Sequence, residues 1–240
     1  MEAQNPNVTI GEIIAKDFRT SAVFTKYGID FCCGGDKELQ AACAEHSVDP
    51  AALQKDIDEV TQTPNTETDF KSWPLDELID YVEKTYHSYI KEKSPLLLQY
   101  LKKIYEVHGS NHPELGEIYG LYSHSANDLG QHLMKEERVL FPLIRDIVKA
   151  KETGQPLRAM MSVQNPVMGM MSEHVVEGDR FHQMSELSSG YTVPADGCNT
   201  YRAAYGLLCE FEQKLHEHIA IENNILFPRA VEEEKALMGR

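Results

Sequence analysis

The chain has 240 residues, 42% of them hydrophobic, enough for a core of ordinary size. Its 23 Lys and Arg face 38 Asp and Glu, a formal net charge of −15, so phosphate backbones and anionic lipid are repelled and neither nucleic acid nor membrane is expected as a partner. No apolar run approaches the roughly 18 residues that a membrane helix needs. The polar stretch from Met1 to Thr9 lacks the basic and apolar regions of an export signal.

In chain order, Thr9 with Glu12 has capping-box spacing, and Ile10, Ile13, Ile14 and Phe18 follow at helical intervals. Gly28 can end that helix. Asp30-Phe31-Cys32-Cys33-Gly34-Gly35 reads as a turn, and a short helix is expected from about Lys37 to His46. Asp49 is an N-cap with Pro50 at the first helical position, starting a helix to about Thr61. Residues 1–62 therefore form a small helical module. Across 63–74 the composition shifts to Thr, Asn, Asp and Pro, a linker. Residues 75–240 read as helix to the end: Leu75 to about Val107 with Pro95 as a break or kink, Pro113 to about Lys149, Pro166 to Leu187, and Asn199 to about Leu237. No segment sustains a two-residue alternation. The fold class is all-α, an antiparallel four-helix bundle behind a small helical domain.

The five cysteines (Cys32, Cys33, Cys43, Cys198 and Cys209) are odd in number and irregularly spaced. Reduced thiols are expected rather than a disulfide framework. Cys43, Cys198 and Cys209 show no pattern and read as structural. Adjacent Cys32 and Cys33 would close a strained ring if they paired. As thiolates they suit iron or a sulfur cluster, and the glycines after them leave the backbone exposed and flexible.

The most informative feature is a duplicated string. Residues 132–142 read HLMKEERVLFP and residues 218–228 read HIAIENNILFP, both His-x3-Glu-x2-[Val/Ile]-Leu-Phe-Pro. Residues four apart share a helix face, so each imidazole and carboxylate project together. They also face inward. Leu208, Phe211, Leu215, His218, Glu222 and Ile225 fall on one stripe, as do Leu129, His132, Glu136, Val139 and Leu143. A carboxylate on a core stripe is costly unless it is paired or binds metal.

The repeat extends upstream: His87 precedes His132 by 45 positions (132 − 87), and His174 precedes His218 by 44 (218 − 174). Two helical hairpins, each giving one histidine and one His-x3-Glu pair, would place His87, His132, Glu136, His174, His218 and Glu222 at the bundle centre. A lone copy of so short a motif is usually a surface pair; two copies with matching upstream histidines are not. Six ligands are too many for one zinc, and imidazole with carboxylate suits iron or manganese. Asp128, Glu137, Glu173 and Glu177 are candidates to orient the imidazoles. The remaining histidines lack the double pattern, with His124 and His216 the expected neighbours of the site.

On these residues the chain resembles two known families. Residues 75–240, with His and His-x3-Glu ligands on four helices, are similar to haemerythrin-like domains. Phe18-Arg19 through Lys26-Tyr27-Gly28-Ile29-Asp30-Phe31-Cys32-Cys33-Gly34-Gly35 resembles the N-terminal module of the repair of iron centres family. The resemblance implies a cytoplasmic stress-response protein with two non-haem irons, oxo- or hydroxo-bridged when oxidised. It implies rebuilding of iron–sulfur clusters after nitrosative or oxidative damage by supplying iron. Its partners would be damaged iron–sulfur proteins, nitric oxide and oxygen, and a homodimer fits the family. Such a protein is not an enzyme in the strict sense. The alternatives sharing the same site are a di-iron nitric oxide reductase or peroxidase, and an oxygen or redox sensor. Oxygen carriers resemble the chain less, because they use a fifth histidine.

Overall fold

A computed structural model of the chain describes residues 8–65, 69–157 and 161–239. The export-signal reading of 1–7 and part of the expected linker, 66–68, lie outside these residues. Among the described residues there is no strand, only an isolated bridge between Thr9 and Glu38. No helix among them is long and apolar enough to cross a membrane. The chain divides into two compact units. The first joins Met1–Ile79, Ile144–Gln164 and His216–Arg240; the second joins Asp80–Leu143 and Asn165–Leu215.

In the first unit, α1 (Ile10–Lys16) starts at the expected capping box. Glu12 N–H donates to Thr9 Oγ1 at 3.2 Å, and Thr9 N–H to Glu12 Oε2 at 2.9 Å. The helix stops earlier than expected because Asp17 is extended and accepts from Arg19 N–H at 3.1 Å, opening a 3-10 turn at Phe18–Thr20. Helices α2 (Ser21–Lys26), α3 (Leu39–Glu45) and α4 (Pro50–Thr61) follow, α4 capped by Asp49 with Pro50 in its first turn. Ile10, Ile14, Phe24 and Leu53 are fully buried between them. The stretch after α4 carries more structure than its composition suggests. Arg19 reaches Thr63 O at 2.8 Å. Phe70, 1% exposed, packs edge-on to Phe18 and Trp73. Arg229 holds the carbonyls of Phe70 and Trp73 at 3.0 and 2.8 Å.

Three of the four long helical patterns are interrupted by a π-turn. Helix α5 (Leu75–Val82) passes through Glu83–His87 into α6 (Ser88–His108). Helix α7 (Glu114–Lys135) passes through Glu136–Leu140 into α8 (Phe141–Thr153). After α9 (Gln164–Leu187), α10 (Asn199–Ile221) passes through Glu222–Leu226 into α11 (Phe227–Met238). In each turn an N–H reaches five residues back: Ser88 to Glu83 O, Phe141 to Glu136 O, Phe227 to Glu222 O. Proline lacks an N–H and its ring crowds the carbonyl four residues back, so Pro142 and Pro228 favour the wider turn. Pro95 lies inside α6, and the interruption falls at 83–87 instead.

The π-turn corrects the expected stripe. Its extra residue advances the inward face by one, so Val139 is 44% exposed and Leu143 half-buried, while Leu140, Phe141 and Ile144 are buried. In the second unit the four long helices meet through Tyr89, Tyr122, Phe181 and Phe211. Phe211 lies 5.6–5.8 Å from the other three rings, centroid to centroid. Aromatic contacts of this geometry lock helix register beyond the area they bury.

Candidate metal centre

Burial separates the four sequence-selected histidines from the other six, while Glu136 and Glu222 share full or near burial with Glu177 and Glu234. Within the second unit His87, His132, Glu136 and His174 are all buried, Glu136 completely. Glu136 opens one π-turn and His87 closes another, so the local helix widening falls on two of the sequence-selected residues. His87 Nε2 faces Glu136 Oε2 at 3.4 Å and His132 Nε2 faces Glu136 Oε1 at 3.1 Å. His174 Nε2 comes within 3.0 Å of His132 Nε2. Three imidazole nitrogens therefore gather around one buried carboxylate, one on its Oε2 side and two on its Oε1 side, an arrangement a cation satisfies.

The outer contacts fix the imidazole tautomers. His87 donates from Nδ1 to Glu137 Oε1 at 2.8 Å, and His132 from Nδ1 to Glu173 Oε2 at 2.9 Å. These contacts hold Nδ1 of each ring and leave its Nε2 on the side of Glu136. His87 also stacks on Phe141 of the repeated Leu-Phe-Pro string, at 5.6 Å and 22°. Burial alone would raise the pKa of Glu137, but hydrogen bonds from Lys91 and His87 hold it below the usual carboxylate range. Glu173 is likewise opposed by burial and lowered by Lys135 and His132.

The other two acidic candidates sit elsewhere. Glu177 is buried, accepts from Ser125 Oγ at 2.5 Å and pairs with Arg180. Burial raises its pKa against the Ser125 hydrogen bond. Asp128 meets Arg180 at 2.9 Å. Neither has a hydrogen bond to a ligand imidazole. Both line a cavity of about 270 Å³ whose wall includes His132 and Glu173. This cavity is a route for small solutes to one histidine of the set, and no sequence motif signals it.

In the first unit His218 and Glu222 form the second pair, both buried, with Nε2 and Oε1 3.1 Å apart. Here the two copies of the repeat diverge. Where the first has Glu137-Arg138 after its glutamate, the second has Asn223-Asn224. Asn223 Nδ2 donates to Cys32 O at 3.0 Å, and Asn224 Nδ2 to Phe31 O at 3.1 Å and to Ala220 O at 3.0 Å. The cysteine turn thus docks on the residues directly after Glu222. Gly34 and Gly35 are buried rather than flexible: a Cβ on Gly35 would lie 2.1 Å from Asn224 Oδ1, and one on Gly11 2.6 Å from it. His216 packs edge-on to Phe31 at 6.5 Å, which makes it a neighbour of the cysteine turn, and His124 is exposed.

None of the cysteines is disulfide-bonded, and Cys198 is exposed rather than structural. A hydrogen bond with His108, aided by backbone N–H groups of Tyr201 and Thr200, lowers its pKa to about 7. Burial raises the pKa of Cys43 and Cys209. A limiting amount of iodoacetamide at neutral pH is therefore expected to label Cys198 first, as peptide mapping would read. Preferential labelling of Cys43 or Cys209 would contradict that order.

Comparison with known proteins agrees with this description. Residues 6–61 match ScdA_N, a domain of unknown function, and residues 78–230 match the hemerythrin HHE cation binding domain. The chain is 34% identical to the iron-sulfur cluster repair protein YtfE of Musicola paradisiaca over 223 residues, 93% of this chain and 96% of that one. It is 35% identical to the protein of the same name from Edwardsiella ictaluri, covering 92% and 96% of the two chains. The buried His and Glu groups of its haemerythrin-like domain are suited to a metal site. The chain belongs to the iron-sulfur cluster repair family, with an ScdA_N segment ahead of a haemerythrin-like helical domain.

Proposed function

We propose that this chain repairs damaged iron–sulfur clusters as a cytoplasmic iron donor, with two irons as its cargo. His87, His132, Glu136, His174, His218 and Glu222 would hold the ions, two histidines to each and both glutamates shared. The observation that carries the reading is the duplicated His-x3-Glu string with both of its glutamates fully buried. Imidazole and carboxylate donors suit iron, and sharing two glutamates between two ions leaves coordination positions open. When bound, the irons would supply redox chemistry and affinity for small ligands such as nitric oxide and oxygen. Glu137 and Glu173 would orient the His87 and His132 imidazoles, and the cavity beside His132 would admit small solutes.

The partners we propose are damaged iron–sulfur proteins and a second copy of the chain in a homodimer. The test is to load the protein with iron and mix it with a client whose cluster has been damaged, following iron content and client activity together. Recovery of the client with matching loss of iron from the donor is expected. No recovery, with all iron retained, would leave a di-iron reductase or sensor as the better reading.

The orienting carboxylates give a second test. Glu137→Ala and Glu173→Ala are each expected to weaken metal affinity by about 10–100-fold without unfolding the chain. Competition with a chelator measures it. Equal affinity in both variants would mean that the Nδ1 hydrogen bonds do not tune the site.

A further inference from the structure

Apart from the bundle histidines and glutamates, one other group of metal-binding side chains clusters among the described residues. It lies in the cysteine turn of the first unit. Cys32 Sγ and Cys33 Sγ are 3.6 Å apart, and Asp30 Oδ1 is 3.3 Å from Cys32 Sγ. One donor atom from each of the three lies within 4.8 Å of the others. We propose that Asp30, Cys32 and Cys33 form a second metal site, taking one thiophilic divalent cation such as ferrous iron or zinc.

The geometry fits that chemistry. Two sulfurs bound at about 2.3 Å to one tetrahedral ion lie about 3.75 Å apart, and a sulfur and an oxygen about 3.6 Å. The Cys32–Cys33 and Cys32–Asp30 separations therefore need to change by only a few tenths of an ångström. A purely structural turn accounts for part of the arrangement. Asp30 Oδ1 accepts from Cys32 N–H at 2.9 Å and from Cys33 N–H at 3.0 Å, which explains an aspartate at this position. It does not explain why two adjacent side chains bring both sulfurs to the same side, next to that carboxylate.

The rest of the turn is held as a preformed site would be. Asn223 and Asn224 fix the carbonyls of Cys32 and Phe31, and Gly35 lets the Asn224 side chain approach. The hydrogen bond between the two thiols, burial and the Asp30 charge keep Cys32 well above the ordinary thiol range. The Cys32 thiol therefore keeps its proton until a cation displaces it. Binding forms two metal–sulfur bonds and one metal–oxygen bond and releases two protons. Two thiolates and a carboxylate on a divalent ion leave a net charge of −1. A fourth coordination position remains for water or an incoming thiolate.

This site does not depend on what the bundle does with its metal, because its test reads thiolate ligation and not repair. The full chain, already loaded with iron, is titrated with cobalt(II) without oxygen. The signal is thiolate-to-cobalt charge-transfer absorption, which histidine and carboxylate ligands do not give. One equivalent is expected to produce the band. Cys33→Ser and Asp30→Asn should each weaken this binding by at least about tenfold, while iron content and helicity are retained. The asparagine can still accept the two backbone N–H groups, so the turn survives in that variant. Absence of the band in the unaltered chain, or full-strength binding in either variant, would overturn the assignment.

Discussion

Replacing Glu136 or Glu222 with leucine is expected to abolish the paired metal centre and leave a helical, soluble protein. Both carboxylates are fully buried, and each lies beside an imidazole four residues earlier on its helix. Burying a charged group is costly, and apolar replacement of buried ionic groups is often neutral or stabilising by about 1–4 kcal/mol. The metal-free leucine variants should thus melt no lower than the metal-free parent, and both should melt below the metal-loaded parent. Elemental analysis and thermal melting of the same samples check both halves. A leucine variant that keeps its full metal content removes that glutamate from the ligand set. One that fails to fold shows that the carboxylate is needed for the helix itself.

A second large effect is expected at Gly35. Its missing Cβ is what lets Asn224 Oδ1 lie where a methyl would approach to 2.1 Å. Asn224 also holds Phe31 O and Ala220 O, so it cannot swing away without losing hydrogen bonds. Gly35→Ala should therefore destabilise the first unit by about 1–3 kcal/mol, the usual cost of overpacking. Asn224→Ala alone should cost about 1 kcal/mol for its buried hydrogen bonds. The double variant should recover most of the Gly35→Ala loss, because the collision is gone. Denaturant melts of the four proteins form a cycle. Additive losses would show that the two residues do not collide.

The particular elements show what was legible before the fold. Thr9 with Glu12 and Asp49 with Pro50 state their own helix starts, because caps are local chemistry. The all-helical fold followed from periodicity and long segments without alternation. The six site residues stood out because a buried carboxylate needs a reason and the string supplying one occurs twice. The π-turns did not stand out, because periodicity gives the inward face but not the hydrogen-bond register. That is why Val139 was assigned to a core it does not enter. Four nearby acidic residues looked alike in sequence, and only Glu137 and Glu173 reach an imidazole, since that depends on which helix each one faces. The clasp between Asn224 and the cysteine turn joins residues 193 positions apart, beyond the reach of any local pattern. Asn223 and Asn224 stand where the first copy of the repeat has Glu137 and Arg138, a difference the motif itself leaves unspecified.

The most direct measurement is the iron itself. Protein purified from its native host would be analysed for metals and by Mössbauer spectroscopy, then again after incubation with a damaged cluster protein. The account predicts about two irons per chain as a coupled pair. It further predicts that Glu222→Leu lacks the pair, and that the iron lost on incubation appears in the client. One zinc per chain and no iron would contradict it.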